Sequence, residues 1–175
     1  MLFRETPLIG AYLVEAEPHG DERGSFYRSF CGTEFETSGL PSTFVQCSIS
    51  RNRRNGTVRG MHFQADPKPE CKLVRCVRGS VYDVIVDLRR ESPTYCKWFG
   101  AELNESNGSA MYVPAGFAHG IQTLADDTHV LYQMTEFYVP ELTSGVRWND
   151  PAFGIVWPQE ISVISERDRA LADYK

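Results

Sequence analysis

Val81-Tyr82-Asp83-Val84-Ile85-Val86-Asp87-Leu88 is the stretch on which the fold class turns. Eight residues rich in β-branched and aromatic side chains, without an internal glycine or proline, read as a β-strand. Side chains alternate along a strand, so Asp83, Ile85 and Asp87 share one face while Tyr82, Val84, Val86 and Leu88 share the other. Phe44–Ile49, Leu73–Val77 and Val130–Met134 have the same character and lie between clusters of Gly, Pro, Asn and Asp. Asn55-Gly56, Arg78-Gly79 and Asn107-Gly108 read as hairpin turns, because glycine reaches the positive φ that tight turns require. Many short strands with turn signals between them predict an all-β fold, a mostly antiparallel barrel or sandwich. Helix is scarce. A short segment is expected from Thr33 to Ser38, closed by Gly39, and a polar one from Ser165 to Ala172 with Ser165 as N-cap; neither is expected to be central.

No linker, low-complexity stretch or solenoid-length repeat divides the 175 residues, so residues 1–175 are expected to form one domain. Hydrophobic residues make up 42% and charged residues 23%, the balance of a globular protein with a real core. Met1 to Pro7 leads into no signal-peptide core, and no stretch approaches the roughly 20 apolar residues of a membrane span. A cytoplasmic protein without membrane contact is expected. The five cysteines, Cys31, Cys47, Cys71, Cys76 and Cys96, form no Cys-x-x-Cys pair and fit buried reduced thiols better than a disulfide framework. A net charge of −5 argues against a nucleic-acid partner, which calls for an excess of Lys and Arg.

Reactive side chains concentrate in Arg59-Gly60-Met61-His62-Phe63-Gln64, in Glu70 and Lys72, and in Pro114-Ala115-Gly116-Phe117-Ala118-His119-Gly120. On a strand, His62 and Gln64 face one way and their neighbours Met61 and Phe63 the other. The Pro-x-Gly-x-x-His spacing ending at His119 resembles the second half of the cupin signature. In metal-binding cupins the equivalent donors would be His62, Gln64, Glu70 and His119. Gln64 offers a neutral amide where transition metals prefer imidazole, so no metal and no other cofactor is expected. His119 reads equally as a buried hydrogen-bonded histidine or as a participant in the chemistry.

The chain resembles the dTDP-4-dehydrorhamnose 3,5-epimerase family over most of its length. The resemblance rests on Asp21-Glu22-Arg23-Gly24 with Phe26, on Arg59 to Gln64, on Lys72-Leu73-Val74, on Tyr82 to Arg89 and on Ser92-Pro93-Thr94-Tyr95. It continues through Gly116 to Gly120, Tyr132, Tyr138-Val139-Pro140-Glu141, Trp148-Asn149-Asp150-Pro151 and Trp157-Pro158. It implies a metal-free cupin jelly roll with few short peripheral helices, forming a homodimer partly by exchange of N-terminal strands. The substrate implied is a nucleotide-linked 4-keto-6-deoxy sugar, epimerised at carbon 3, carbon 5 or both. His62 matches the base, Asp168 the carboxylate paired with it, Lys72 the cation that stabilises the enolate oxygen, and Tyr132 the acid that returns a proton from the opposite face. Arg23, Gln46 and Arg59 match positions around the nucleobase and diphosphate, and Phe26, His119 and Tyr138 positions around the substrate.

Two departures bear on the nucleotide. Arg28 stands where many family members carry a glutamate that contacts thymine, and Gln46-Cys47-Ser48-Ile49-Ser50 lacks the Asp-Asn pair that often follows that glutamine. A cation in place of an acceptor changes what a base edge can bond to, which leaves CDP- and GDP-linked sugars open beside dTDP. The run Arg51-Asn52-Arg53-Arg54 reads as a solvated hairpin tip rather than a phosphate site. Two further classes compete: a metal-dependent cupin oxygenase or isomerase, and a sugar-nucleotide binder without turnover. The joint presence of His62, Lys72, Tyr132 and Asp168 argues against the binder, which needs no acid and base on opposite faces.

Overall fold

A computed structural model describes residues 1–175. The strands, in chain order, begin with β1 (Leu2–Glu5), β2 (Tyr12–Glu15), β3 (His19–Asp21) and β4 (Gly24–Phe26). After helix α1 (Gly32–Thr37) come β5 (Gln46–Asn52), β6 (Thr57–Gln64), β7 (Lys72–Arg78), β8 (Ser80–Asp87) and β9 (Trp98–Asn104). Then follow β10 (Ala110–Val113), β11 (Phe117–Thr123), β12 (Thr128–Met134), β13 (Thr143–Gly145), β14 (Val163–Ile164) and helix α2 (Glu166–Arg169). No helix is long and apolar enough to cross a membrane.

Two sheets form the body. The first has the order β1-β2-β10-β7-β12-β5, the second β13-β6-β11-β8-β9, with β14 parallel to β6 and every other pairing antiparallel. β3 and β4 pair only with each other. The all-β jelly roll is therefore two open sheets face to face rather than a hydrogen-bonded closed barrel. The expected hairpins are corrected. The turns at Gly56, Gly79 and Gly108 have the positive φ anticipated, yet each carries the chain from one sheet to the other, as from β7 to β8. A turn residue sets only the local reversal; pairing partners are set by which faces must be buried, and here those partners are distant in sequence.

β8 lies inside its sheet between β11 and β9, and both its faces are covered. Val81 and Ile85 enter the core between the sheets with Val74, Phe117 and Val130, while Val84 and Val86 pack outward against Met61, Ala118, Val146 and Phe153. Each such aliphatic residue gains roughly 1.5–3 kcal/mol on burial. A third cluster, centred on Phe35 of α1, covers the outer face of the first sheet with edge-on rings from Phe3 and Phe44. α1 ends where expected, at Gly39 with φ +72°.

At the end of β8, Asp87 is fully buried and accepts hydrogen bonds from Arg89 Nε at 2.8 Å, Ser92 Oγ at 2.6 Å and Thr94 Oγ1 at 2.7 Å. Burial raises its carboxyl, but these donors outweigh burial and bring it down to about 2 from an ordinary 3.8. A carboxyl lowered on folding stabilises the protein above its unfolded value and loses that contribution as pH falls through the folded one. Asp87→Asn is therefore expected to cost about 2 kcal/mol at pH 7, with the gap from wild type closing between pH 4 and about pH 2. Urea unfolding across that range checks it; a pH-independent gap would assign the loss to packing alone.

Candidate active site

The interior faces of the two sheets meet in a polar region. From the second sheet, β6 and β11 place His62 directly opposite His119 and Arg59 opposite Ile121. Three residues on β6 thus span two on β11, and this bulge puts Arg59 and His62 on one face, where strict alternation would have placed them on opposite faces. Gly60 makes the bulge possible. It has φ +130°, and an added methyl would lie 2.6 Å from Gly120 Cα and 2.9 Å from His119 O. Backbone rather than a flexible side chain blocks that space. Gly60→Ala is expected to destabilise the protein by at least about 2 kcal/mol, lowering the melting temperature by roughly 4–8 °C for a chain of this size. An unchanged melting temperature would show that the bulge tolerates a side chain.

His62 is part-exposed, and its Nε2 lies 2.7 Å from Asp168 Oδ1, although 106 residues separate the two in sequence. α2, four residues long rather than the expected eight, delivers that carboxylate. Ser165 caps it, accepting from Asp168 N–H at 3.0 Å, and β14 fixes its start beside Thr57 and Val58 of β6. The expectation that neither helix is central is thus corrected: α2 is peripheral in size, but it carries the histidine's partner. Asp168 Oδ2 also accepts from Gly60 N–H at 3.3 Å. Burial raises the Asp168 carboxyl; the hydrogen bonds from His62 and Gly60 oppose it and leave the group below its ordinary value. A carboxylate beside an imidazole fixes the orientation and tautomer of the ring.

Across the interior, β12 and β7 of the first sheet supply Tyr132 and Lys72. Tyr132 is opposite Val74 and Met134 opposite Lys72, so both functional side chains share the face that Val74 and Val130 turn to the core. The Tyr132 hydroxyl has no hydrogen-bond partner within the chain, and burial, reinforced by the negative charge of Asp83, pushes its phenol well above the ordinary range. Lys72 is 9% exposed, which excludes a solvated strand lysine; its Nζ is paired with Glu70 Oε1. His119 is buried, bonded through Nε2 to Asp83 Oδ2 at 2.8 Å, with its ring edge-on to Tyr132 at 5.8 Å.

Gln64 is fully engaged. Its Nε2 donates to Lys68 O at 2.7 Å and Phe137 O at 3.2 Å, and its Oε1 accepts from Val139 N–H at 2.9 Å. Gln46 Oε1 accepts from Tyr138 N–H at 3.1 Å, which holds the exposed Tyr138 ring at the rim. With Glu70 on Lys72, His62 on Asp168 and Gln64 on the backbone, the donor set of a metal cupin does not fit an ion, and no three His, Cys, Asp or Glu side chains come together in a ligating cluster.

The structure brings together His62, Asp168, Lys72, Tyr132, His119, Arg59, Gln46 and Tyr138. It keeps three expected residues apart from them. Arg23 and Phe26 project from the β3–β4 hairpin, Arg23 paired with Asp21 and Phe26 79% exposed. Arg28 is neutralised by Glu34 at 2.5 Å, beside the N-terminal amine. Sequence reading missed Asp83, Asn52 and Gly60. Asp83 carried a usable signal, an acid in the middle of an apolar strand face; Asn52 and the bulge at Gly60 carried none.

Comparison with known proteins gives the same reading from outside. A family model described as dTDP-4-dehydrorhamnose 3,5-epimerase matches residues 5–175. The chain is 46% identical over 170 residues to the dTDP-4-dehydrorhamnose 3,5-epimerase of Methanothermobacter thermautotrophicus, covering 95% of this chain and 91% of that one. It superposes with a TM-score of 0.96 and 42% identity on the crystal structure of the Bacillus anthracis dTDP-4-dehydrorhamnose 3,5-epimerase with TDP and PPi bound, covering 99% of each chain. A Legionella pneumophila dTDP-6-deoxy-D-glucose-3,5-epimerase in complex with dTDP-4-keto-L-rhamnose gives 0.93 and 35%, over 98% of this chain and 92% of that one. With a jelly roll that superposes along its whole length and a matching sequence from residue 5 onward, this chain belongs to the dTDP-4-dehydrorhamnose 3,5-epimerase family.

Proposed function

We propose that this isomerase inverts carbons 3 and 5 of dTDP-4-dehydro-6-deoxy-D-glucose, giving dTDP-4-dehydro-L-rhamnose. One observation carries the mechanism: the His62–Asp168 pair lies on one sheet, and Tyr132, its hydroxyl unpartnered, faces it from the other. A flat keto sugar between the sheets would meet a base on one face and an acid on the other. The hydrogens at carbons 3 and 5 are acidified by the ketone at carbon 4. His62 takes one, the electron pair passes to the ketone oxygen, and Lys72 meets the negative charge formed there. Tyr132 then gives its proton to the same carbon from the opposite face, which inverts the centre. A phenol whose ionisation is opposed by burial keeps that proton until a strong base, the enolate, asks for it.

Arg59 and Gln46 bind the diphosphate, and Tyr138 stacks at the rim. Arg23 and Phe26 reach a site only from a second copy of the chain, which supports a homodimer. Exposed Ile49 and Val77 on the outer face of β5 and β7 support it further, with Val45 exposed just before β5, since apolar side chains there are left for a partner sheet. Five free thiols fit a reducing, cytoplasmic setting. Pairing of Arg28 with Glu34 removes the free cation that weighed against thymine and favours dTDP over the CDP and GDP alternatives.

The test is incubation with dTDP-4-keto-6-deoxyglucose in D₂O while the sugar protons are followed by NMR. Deuterium at carbons 3 and 5 is expected. Deuterium at one carbon would make the protein a single-site epimerase, and none with dTDP-, CDP- or GDP-linked sugar would overturn the reading.

A further inference from the structure

α2 carries the carboxylate that holds His62, yet nothing within α2 fixes its place. Four residues make one turn, far below the length of about 12–15 residues at which a helix holds itself in water. Its position must come from what flanks it. On the leading side β14 is only Val163 and Ile164, paired with Thr57 and Val58 of β6. β13 pairs with the same strand at residues 62–64, which leaves the edge of β6 open around Gly60. Asp168 docks in that gap, accepting from Gly60 N–H on one oxygen and meeting His62 Nε2 with the other.

On the trailing side, residues 171–174 form a strap that is tied down along its length. The side chain of Leu171 lies against Gly145, the residue of β13 directly opposite His62; a methyl on Gly145 would come within 2.9 Å of Leu171 Cδ1. Asp173 pairs with Arg147 at 2.6 Å. Tyr174 N–H donates to Asp150 Oδ2 at 2.5 Å, its hydroxyl accepts from Tyr95 at 3.1 Å, and its ring tilts on Phe153 at 5.4 Å. Asp150 belongs to Trp148-Asn149-Asp150-Pro151, a stretch the chemistry so far leaves without a part. It is 1% exposed, and its other oxygen accepts from Ala152 N–H at 2.8 Å, so backbone donors hold the carboxylate at both oxygens.

We infer that Asp150 is a positioning residue for the base: it clamps residues 171–174, and that strap holds α2 and its Asp168 against His62. The inference rests on the proposed function for what His62 does, and on geometry alone for where Asp168 sits. A buried carboxylate bonded to two backbone N–H groups outweighs the part-exposed Asp173–Arg147 pair, since exposed ion pairs contribute little. The consequence for chemistry is steep. The His62–Asp168 bond, 2.7 Å long, is lost once the carboxylate drifts by about 1 Å. Misplacement on that scale costs up to about 10²-fold in rate. The clamp itself sits with Phe153 and Tyr174 in the cluster outside the second sheet, away from the interior where His62 and Tyr132 face each other, so substrate binding does not depend on it.

Steady-state kinetics and NMR of the intact protein test it. Asp150→Ala is expected to lower kcat about tenfold with KM unchanged. Tyr174→Ala keeps the buried carboxylate and its backbone donor, so it serves even where Asp150→Ala fails to fold, and is expected to lower kcat about threefold. Combined with Asp168→Ala, either should cost nothing further, because its effect passes through the carboxylate already removed. Asp87→Asn, which loosens the same sheet elsewhere, is expected to leave kcat unchanged. The imidazole proton shared with Asp168 should give a downfield NMR signal in wild type that is lost in Asp168→Ala and in both clamp variants. Unchanged kcat in both clamp variants, full additivity with Asp168→Ala, or an equal fall in Asp87→Asn would each overturn the inference. Should wild type turn over no keto sugar, the epimerase reading falls alone and the imidazole signal decides the clamp: its loss in Tyr174→Ala upholds the strap, and its persistence there refutes it.

Discussion

His62→Ala is expected to abolish the exchange of the carbon 3 and carbon 5 protons with D₂O, a loss of about 10²–10⁴-fold, while the fold survives. The imidazole is part-exposed and its one polar partner is Asp168, so its removal opens no apolar cavity. It does leave the Asp168 carboxylate, 7% exposed, without its strongest donor, and a loss of about 1–3 kcal/mol follows from that. Stability and activity therefore separate: circular dichroism stays that of the wild type while exchange disappears at both carbons together, because one base serves both. Exchange at the wild-type rate in this variant would end the mechanism. Loss at one carbon only would require a second base, and His119, the only other imidazole on the interior face, would be the group to replace next.

The division between what the sequence disclosed and what it hid follows from the range of the interactions. Alternation in Val81–Leu88 and the punctuation around it are local, so strand content was legible, and so was the orientation of His62 with Gln64. Sheet membership was not. The glycine turns at Gly56 and Gly79 look like hairpins because the same positive φ serves a hairpin and a sheet-to-sheet corner, and pairing with strands beyond the local segment decides between them. The same ambiguity makes Arg51-Asn52-Arg53-Arg54 read as a hairpin tip, whereas it lies at the corner that joins β5 of one sheet to β6 of the other. Asp168 was reachable through family resemblance, but nothing local to Ser165–Arg169 says that a four-residue helix docks on β6. The bulge at Gly60 is a further case: without it, period-2 reasoning sends Arg59 away from His62.

Tyr132→Phe is expected to separate proton removal from inversion. The substitution removes one oxygen and keeps the ring, which packs against the core between the sheets and against the edge of His119, so the fold and the binding of dTDP should change little. His62 and Lys72 are untouched, and the enolate can still form. What is lost is the phenol placed on the far face. The enolate then recovers its proton from His62, on the face it left, and the substrate returns with its configuration retained but carrying deuterium from exchange at the imidazole. NMR in D₂O should therefore show deuterium entering the unchanged sugar with the epimerised product reduced by about 10²-fold or more. Wild-type yields of inverted product would remove Tyr132 from the acid role and leave water as the far-face donor. Equal loss of exchange and inversion would mean that the hydroxyl is needed to form the enolate at all, placing it beside Lys72 at the ketone oxygen rather than over the carbon being inverted.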